Sequence, residues 1–218
     1  MRKWNFSPGP ATIPEDVLLE VQSELLEFNN SGISIMEMSH RTELYSSIAY
    51  EAKKDLIDIL NIPDNYEVLF LQGGATHQFS MIPMNFSHLH GKPAYITTGT
   101  WTKRAFEEGS KITEIDQIFS SENENFIYAP HFKNLKIPKD ASYVHYCPNE
   151  TIHGVAFDHI PTISNPLVAD MSSSILSEPI DVNKFSLIYA SAQKNIGPSG
   201  LTVVIIKKSF MKQGNKAL

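Results

Sequence analysis

Residues 191–200 read SAQKNIGPSG and connect two apolar runs of the chain. The run before them, Ser186–Ala190, and the β-branched run after them, Leu201–Ile206, are typical of buried strands. Two glycines and a proline within the stretch favour a tight turn, after which the chain doubles back. The pattern therefore predicts that Lys194 lies at the end of a core strand, on a short and stiff connection.

Lys194 is a candidate reactive group. An amine at the mouth of a sheet is partly desolvated, so the neutral form becomes a usable nucleophile. Considered alone, the same motif also fits a solvated lysine beside a turn. A second apolar run, Asn165–Asp170, ends in a carboxylate. If the two runs are parallel neighbours, Asp170 and Lys194 face one crevice, and together they form the minimal constellation for pyridoxal phosphate.

The rest of the chain alternates between predicted helices and strands, which predicts an α/β fold with a mainly parallel mixed sheet. Thr12–Glu15 fits a capping box before a helix that extends to about Phe28 and packs one face. A long amphipathic helix is predicted from Thr42 to Leu60. Glu67–Leu71 is a predicted strand, and the glycines after it either form an anion cradle at a helix N-terminus or simply a tight turn.

The middle of the chain adds a strand and turn at Ala94–Gly99, followed by a helix. Trp101 therefore projects from a strand-to-helix junction, where its ring suits stacking on a flat cofactor, although a core tryptophan fits the spacing equally. The polar segment 120–141 is predicted to be loop with at most short elements.

Other polar side chains are candidates for binding a substrate or a cofactor. Arg41, beside His40, suits an anionic group, because a guanidinium matches a carboxylate or a phosphate, and a pair of surface residues before a helix is the alternative. Thr151 follows the predicted strand Tyr143–Tyr146 and either donates its hydroxyl to the site or closes a turn.

The composition is that of an ordinary soluble globular protein. The 218 residues are 42% hydrophobic and 19% charged, and the net charge is −6. No cluster of lysine and arginine is present, which argues against binding to nucleic acid or to a membrane surface. Cys147 is the single cysteine, and the first residues lack the apolar core of a signal peptide, so we expect a cytoplasmic protein. We expect no metal site, since His88 and His90 lack suitable partners nearby.

Five segments of the chain resemble the phosphoserine aminotransferases, a family of fold-type-I enzymes that use pyridoxal phosphate. The segments are 5–11 (NFSPGPA), 36–41 (MEMSHR), 72–74 (QGG), 145–154 (HYCPNETIHG) and 191–198 (SAQKNIGP). They follow one another in the family's order and span almost the whole chain. Together they indicate the family more specifically than any single motif does.

The resemblance implies that residues 15–218 form the large domain of a fold-type-I transferase, preceded by an arm at residues 1–14. It also implies that the family's small C-terminal domain is absent from this chain. The implied reaction transfers an amino group between L-glutamate and 3-phosphohydroxypyruvate and forms O-phospho-L-serine in serine biosynthesis. Many bacterial members of the family also act in pyridoxine biosynthesis, and the family implies a homodimer.

Individual residues match positions of the family's site. Lys194 matches the Schiff-base lysine, and Asp170 matches the partner of the pyridine nitrogen. Trp101 matches the residue that stacks on the ring, whereas Ala75 and Thr76 match the glycine-turn positions that meet the cofactor phosphate. Further matches are Thr151 and Gln193 for the cofactor, and Arg41 with His40 for the substrate anion.

Two differences from the family leave alternatives open. Thr76 stands where some members carry an arginine that helps to hold the substrate phosphate, so we expect His40 and Arg41 to contribute more here. The chain is also shorter than the family, so a fragment that binds pyridoxal phosphate without catalysis is one alternative. Another fold-type-I enzyme is a further alternative, which the joint presence of segments 145–154 and 191–198 disfavours. An uncovered core face would favour self-association.

Overall fold

The computed structural model of the chain describes residues 2–215. The helices are α1 (Glu15–Glu24), α2 (Glu43–Leu60), α3 (Gly74–Phe86), α4 (Thr100–Ser110) and α5 (Lys208–Met211). The strands are β1 (Tyr66–Leu71), β2 (Ala94–Thr97), β3 (Asp116–Ser120), β4 (Val144–Tyr146), β5 (Asn149–Glu150), β6 (Val155–Ala156), β7 (Leu167–Asp170), β8 (Leu187–Ser191) and β9 (Thr202–Lys207).

Seven of these strands form one sheet in the order β1-β9-β8-β7-β4-β2-β3, and β5 and β6 form a separate hairpin. Strand β9 runs antiparallel to both of its neighbours, whereas β8, β7, β4, β2 and β3 are parallel to one another. The prediction of an α/β fold with a mainly parallel mixed sheet is therefore confirmed.

Helices cover both faces of the sheet. Successive side chains of a strand point to opposite faces, and in β9 Ile205 packs in the cluster that contains Leu56 and Leu60 of α2. Ile206, the next residue, packs in the cluster that contains Phe79 of α3. Because both faces are buried, the central strands are mostly apolar, which is the pattern that made them predictable from the sequence.

The carboxyl ends of six strands lie at one edge of the sheet. Strands β1, β2, β3, β4, β7 and β8 all run in the same direction, because β9 reverses between β1 and β8. Helices α3 and α4 begin after β1 and β2, Asp170 ends β7, and Lys194 follows β8. In open α/β sheets this edge is where ligands bind.

The long helix α2 agrees with its prediction. Thr42 precedes it, and the Oγ1 of this residue accepts a hydrogen bond of 3.3 Å from the backbone N–H of Tyr45. Asn61 ends the helix in the left-handed conformation, with φ of 49°, a conformation that asparagine tolerates better than most residues.

The start of α1 differs from its prediction. Pro14 precedes the helix and no side chain caps it, so the predicted capping box at Thr12–Glu15 is wrong. The hydroxyl of Thr12 instead donates a hydrogen bond of 2.6 Å to the carbonyl oxygen of Asn5. The threonine therefore stabilises the preceding arm rather than the helix.

The end and the packing of α1 also differ from the prediction. The helix ends at Glu24 rather than at about Phe28, and none of its residues is buried. Asn29 and Asn30 beyond it adopt left-handed conformations that a helix cannot continue. Amphipathic spacing predicted an apolar face correctly but not a partner for that face within the described residues.

The segment 120–141 is mostly loop, as predicted, with short 3₁₀ turns at Glu122–Glu124 and Phe132–Asn134. Strand β3, just before it, was not predicted, because this edge strand contains polar residues and no long apolar run. Residues 2–14 contain no helix or strand. The division into an arm and a domain at 15–218 stays a prediction, and the last three residues lie outside the described range. Among residues 2–215, no helix combines the length and apolar character of a membrane span.

Candidate active site

Lys194 lies half-buried in the turn between β8 and β9. Backbone hydrogen bonds from Ala192 to Leu201 (3.0 Å) and from Gly197 to Ala192 (2.9 Å) close this turn. The amine of Lys194 donates a hydrogen bond to Oγ1 of Thr151. The predicted stiff connection is therefore present, and the lysine points to the loop after β4 rather than freely into solvent.

Burial lowers the pKa of Lys194 below its usual range. The acidic groups of Asp170, Cys147 and Glu150 partly oppose this lowering, because they favour the charged ammonium. Partial desolvation thus raises the fraction of neutral, nucleophilic amine near neutral pH.

Asp170 is buried at the end of β7. Its Oδ1 accepts hydrogen bonds from the backbone N–H and from the hydroxyl of Ser172, at 3.0 and 2.7 Å. The same hydroxyl oxygen accepts a hydrogen bond of 3.0 Å from the backbone N–H of Ser191. Burial raises the pKa of Asp170 to about 6, and the Ser172 hydrogen bonds moderate the rise. The carboxyl group is therefore held in place and sensitive to any charge that enters the cleft.

A buried imidazole lies behind Asp170. His145 Nε2 lies 2.8 Å from the hydroxyl of Tyr189, and this hydroxyl also helps to moderate the raised pKa of Asp170. The His145 ring stacks on Tyr95, with ring centroids 4.5 Å apart. Burial lowers the pKa of His145 to about 3, so the imidazole is neutral. Sequence reasoning did not single out this pair of residues, because His145 and Tyr189 occupy positions inside mostly apolar strands.

Trp101 is the second residue of α4 and is half-buried at the wall of the cleft. The guanidinium carbon of Arg104 lies 5.6 Å from the centroid of the indole ring, a cation–π arrangement. The backbone N–H of Trp101 donates a hydrogen bond of 3.1 Å to the carboxylate of Glu150. Trp101 is therefore a wall of the site rather than a residue of the deep core.

The N-terminus of α3 forms another wall. Gly73 and Gly74 have positive φ angles of 91° and 64°, and no side chain caps the helix. A Cβ on Gly74 would lie 3.5 Å from Oγ of Ser191, which places the helix start beside the end of β8. Ala75 lines the cleft, whereas Thr76 is exposed. Uncapped backbone N–H groups at this position suit a phosphate.

One cleft brings most of the predicted residues together. It is lined by Ala75, Trp101, Cys147, Asn149, Thr151, Asp170, Ser172, Ser173, Gln193 and Lys194. Of the residues predicted to bind a cofactor, Thr76 lies outside this lining. Sequence reasoning did not single out Asn149, Ser172 and Ser173, although they follow the ends of the predicted strands that carry the site. The side-chain amide of Asn149 donates a hydrogen bond of 2.8 Å to the hydroxyl of Ser173.

The predicted substrate residues His40 and Arg41 are exposed in a turn before α2 and do not line the cleft. Their proposed role thus has no support from the geometry of the described residues. Cys147 is buried, as the sequence suggested, and its Sγ donates a hydrogen bond of 3.3 Å to the carbonyl oxygen of Asn149.

The donor set of the cleft fits pyridoxal phosphate. It combines an amine whose pKa is lowered, a buried carboxyl group, an aromatic wall and an uncapped helix N-terminus. These groups match, respectively, the aldehyde, the pyridine nitrogen, the ring and the phosphate of that cofactor. A lysine and a carboxylate at the carboxyl edge of such a sheet define the class of fold-type-I transferases.

Comparison with known families agrees with this class. A family model described as Aminotransferase class-V matches residues 3–218. The chain therefore belongs to the class-V aminotransferases, and the family resemblance predicted from the five segments is confirmed.

Within this family, the chain is similar to several phosphoserine aminotransferases. The chain is 51% identical over 211 residues to the phosphoserine aminotransferase of Pseudomonas syringae pv. syringae, covering 96% of this chain and 58% of that protein. It is 52% identical over 211 residues to the one from Bacillus cereus (strain ATCC 10987), covering 96% and 59%.

Solved structures of the same enzymes share the fold. Phosphoserine aminotransferase from Bacillus circulans subsp. alkalophilus superposes with a TM-score of 0.94 at 44% identity, covering all of this chain and 60% of that one. The pyridoxal-phosphate-bound enzyme from Trichomonas vaginalis superposes with a TM-score of 0.92 at 39% identity, covering 100% and 65%. The chain thus spans about 60% of the length of the relatives that it matches.

Proposed function

We propose that this chain, by itself or within a longer protein, acts as a phosphoserine aminotransferase that uses pyridoxal phosphate. In this proposal an amino group passes between L-glutamate and 3-phosphohydroxypyruvate, with O-phospho-L-serine as the product. The observation that carries the proposal is the placement of Lys194, Asp170 and Trp101 around one cleft. Relatives at about 50% identity that carry this name support the choice of substrates.

The proposed roles follow from the positions of the residues that line the cleft and, for Thr76, His40 and Arg41, from the family resemblance alone. Lys194 bonds to the cofactor aldehyde, and Asp170 pairs with the pyridine nitrogen. Trp101 covers the ring, and the start of α3, at Ala75 and Thr76, holds the phosphate. Thr151 and Gln193 are further cofactor contacts, and His40 and Arg41 are proposed for the substrate anion.

When bound, pyridoxal phosphate supplies a ring that accepts the electron pair left behind when a proton leaves the amino-acid Cα. The protein supplies the proton transfer. Its base would be Nζ of Lys194, which becomes a free amine when the substrate amine takes its place on the cofactor aldehyde and whose pKa is lowered by burial. Thr151 Oγ1, which accepts a hydrogen bond from Nζ, keeps the amine at the wall of the cleft. The hydrogen bond from the hydroxyl of Ser172 keeps the carboxyl group of Asp170 in position while the charge of its surroundings changes.

A trapping experiment tests the cofactor site. The 218-residue chain is incubated with one equivalent of pyridoxal phosphate, reduced with borohydride, and mapped by peptide mass spectrometry. We expect the adduct on Lys194 and its loss in Lys194→Arg. Lys184→Arg, at an exposed lysine, is the control that should retain the adduct. An adduct spread over surface lysines would contradict the proposal.

The second candidate function is cofactor binding without catalysis. The chain spans about 60% of the length of its relatives, so turnover by this chain is tested separately from cofactor binding. Formation of 2-oxoglutarate from glutamate and 3-phosphohydroxypyruvate separates the two candidates. An adduct on Lys194 together with no turnover would support the binding fragment.

We propose a homodimer. An open groove beside the Lys194 turn is lined mainly by apolar side chains, among them Leu56, Ile59, Phe70 and Ile196. Ile59 is 65% exposed, and exposed apolar patches favour association. A second copy of the chain is the proposed occupant, because the family resemblance implies a dimer with the cofactor site at its interface. In sedimentation, Ile59→Lys should favour the monomer, whereas Ile127→Lys, at a residue that is 74% exposed elsewhere, should not.

We also propose a cytoplasmic location, which the single buried cysteine supports. Cell fractionation tests it, and recovery of the protein in a secreted or membrane fraction would contradict it.

A further inference from the structure

Glu150 is a carboxylate with no exposed surface. It ends β5 and immediately precedes Thr151. The ion pairs among residues 2–215 do not include it. A buried carboxylate without a cation needs several hydrogen-bond donors to offset the loss of water.

The donors come from the N-terminus of α4. The backbone N–H of Trp101 donates to Oε2 of Glu150 at 3.1 Å, and the backbone N–H of Thr102 donates to Oε1 at 2.8 Å. The hydroxyl of Thr102 adds a third hydrogen bond to Oε1, at 2.6 Å. Free N–H groups and the helix dipole both favour a negative charge at this end. Glu150 therefore caps α4 from a distant part of the chain.

The residue before α4 makes room for this carboxylate. Gly99 has an extended backbone, with φ of 179°, which any residue can adopt. A Cβ at this position would lie 2.4 Å from Cδ of Glu150. Glycine is therefore required here by the space that Glu150 occupies and not by the backbone conformation.

The contacts of Glu150 connect two walls of the cleft. Its carboxylate holds the backbone of Trp101, and its own chain continues into Thr151, which accepts a hydrogen bond from Lys194. A second contact, between Thr100 Oγ1 and His153 Nε2 at 2.9 Å, joins the same two segments. Glu150 does not line the cleft, so any effect on the site passes through these neighbours.

We propose that Glu150 is a positioning residue that fixes the Trp101 ring and the Thr151 hydroxyl relative to each other across the cleft. The inference deepens the proposed function and rests on it, because Trp101 and Thr151 are cofactor contacts only within that proposal. The packing of α4 against β5 can nevertheless be measured without any cofactor.

Fluorescence of Trp101 is the first measurement. The chain has two tryptophans, so Trp4→Phe leaves Trp101 as the single emitter. In this background and without cofactor, Glu150→Gln should shift the emission to longer wavelength and increase quenching by acrylamide, because the helix end loses a charged acceptor. Glu122→Gln is the matched control, since Glu122 pairs with the side chain of Lys103 in α4, whereas the backbone N–H groups of Trp101 and Thr102 donate to Glu150. We expect no shift in the control.

Affinity for pyridoxal phosphate, followed by quenching of Trp101, is the second measurement. Loss of hydrogen bonds to a charged group predicts binding about tenfold weaker in Glu150→Gln. Glu150→Asp retains the charge but shortens the reach, so positioning predicts weaker binding in this variant as well. Parent-like binding in Glu150→Asp with weak binding in Glu150→Gln would assign the effect to charge alone and overturn the proposal.

Variants of Thr102 give an independent measurement if the Glu150 variants do not fold. Thr102→Val removes one hydrogen bond to Glu150, together with the acceptor of the Thr98 and Gly99 backbone N–H groups, and should shift Trp101 emission in the same direction, whereas Thr102→Ser retains the hydroxyl and should resemble the parent. Parent-like emission and affinity in all folded variants would overturn the proposal. If the parent chain binds no pyridoxal phosphate, the proposed function fails, while the cofactor-free fluorescence still decides the role of Glu150.

Discussion

The backbone N–H of Ala11 donates a hydrogen bond of 2.8 Å to the carbonyl oxygen of Gln193, the residue before Lys194. The N-terminal arm is thereby attached to the turn that carries the candidate reactive amine. Gly9 of this arm has φ of +135°, and a Cβ on it would lie 3.1 Å from Cγ of Gln193 and 3.2 Å from Cγ of Lys194. The arm thus contributes to the partial burial of the lysine.

The variant Gly9→Ala should displace the arm. The new methyl group meets both neighbours in a backbone conformation that costs an L-residue about 1 kcal/mol or more. Lys194 then becomes more exposed, so its pKa should rise toward the usual range. The midpoint of the pH dependence of Lys194 modification, followed by mass spectrometry with an amine-specific reagent, should move to higher pH.

Gly32→Ala is the control for Gly9→Ala. Gly32 also has a positive φ, of +76°, but a Cβ there meets nothing within 4 Å. In Gly32→Ala the midpoint of the pH dependence of Lys194 modification should equal that of the parent. An unchanged midpoint in Gly9→Ala would show that the arm does not influence the lysine.

The variant Thr151→Val should move the same midpoint in the opposite direction. Its side chain has a similar shape but cannot accept the hydrogen bond from Lys194. Since that bond favours the charged ammonium, its loss lowers the pKa of Lys194 further. Thr151→Ser keeps the hydroxyl and should match the parent. Equal midpoints in the valine and serine variants would contradict the assigned contact.

Asp170→Asn should change how the stability of the cofactor-free chain depends on pH. The pKa of Asp170 is raised from 3.8 to about 6, so its contribution to stability is complete below 3.8 and is lost as pH rises through about 6. At 1.36 kcal/mol per pH unit, the parent should lose on the order of 2 kcal/mol relative to Asp170→Asn between pH 4 and pH 7.5. Urea denaturation at both pH values measures this difference.

The exposed Asp16 of α1 supplies the control, since Asp16→Asn should show no such pH-dependent difference. A constant difference between parent and Asp170→Asn across the two pH values would show that the carboxyl group is not desolvated in the folded chain.

His145→Gln should change the pH dependence of stability in the direction opposite to Asp170→Asn. The pKa of His145 is lowered from 6.5 to about 3, so the stability that it contributes is present above 6.5 and is lost as pH falls toward 3. Relative to His145→Gln, the parent should lose on the order of 3 kcal/mol between pH 7 and pH 4. His88→Gln, at an exposed histidine, should follow the parent. If the stability of the parent changed with pH in the same way as that of His145→Gln, the imidazole would be protonated in the folded chain.

The elements that were predicted well from the sequence are those whose side chains favour only one type of secondary structure. Strands β4, β7, β8 and β9 are buried on both faces and mostly apolar, and the positions of Asp170 and Lys194 follow from the ends of β7 and β8. Strand β3 was not predicted, because an edge strand need not be apolar. The packing of the exposed helix α1 was predicted wrongly, because an apolar stripe on a helix does not reveal which part of the protein covers it.

The polar contacts behind the site were beyond sequence reasoning for a different reason. Glu150 and Thr102 are far apart in the chain, and the hydrogen bond between them appears only when α4 and β5 are packed together. The same holds for His145 and Tyr189, which come from separate strands. Spacing within one segment carries no information about such pairs.

The reversed strand β9 has a consequence for how the chain folds. Strand β1 is formed by residues 66–71, yet its neighbour in the sheet is β9, at residues 202–207. During synthesis β1 therefore cannot pair with β9 until almost the whole described chain has been made. Pairings between segments so far apart in the chain form slowly. The loop with Lys194 is closed by the same late strand. The turn that positions Lys194 is therefore complete only after the strand that closes the sheet has paired.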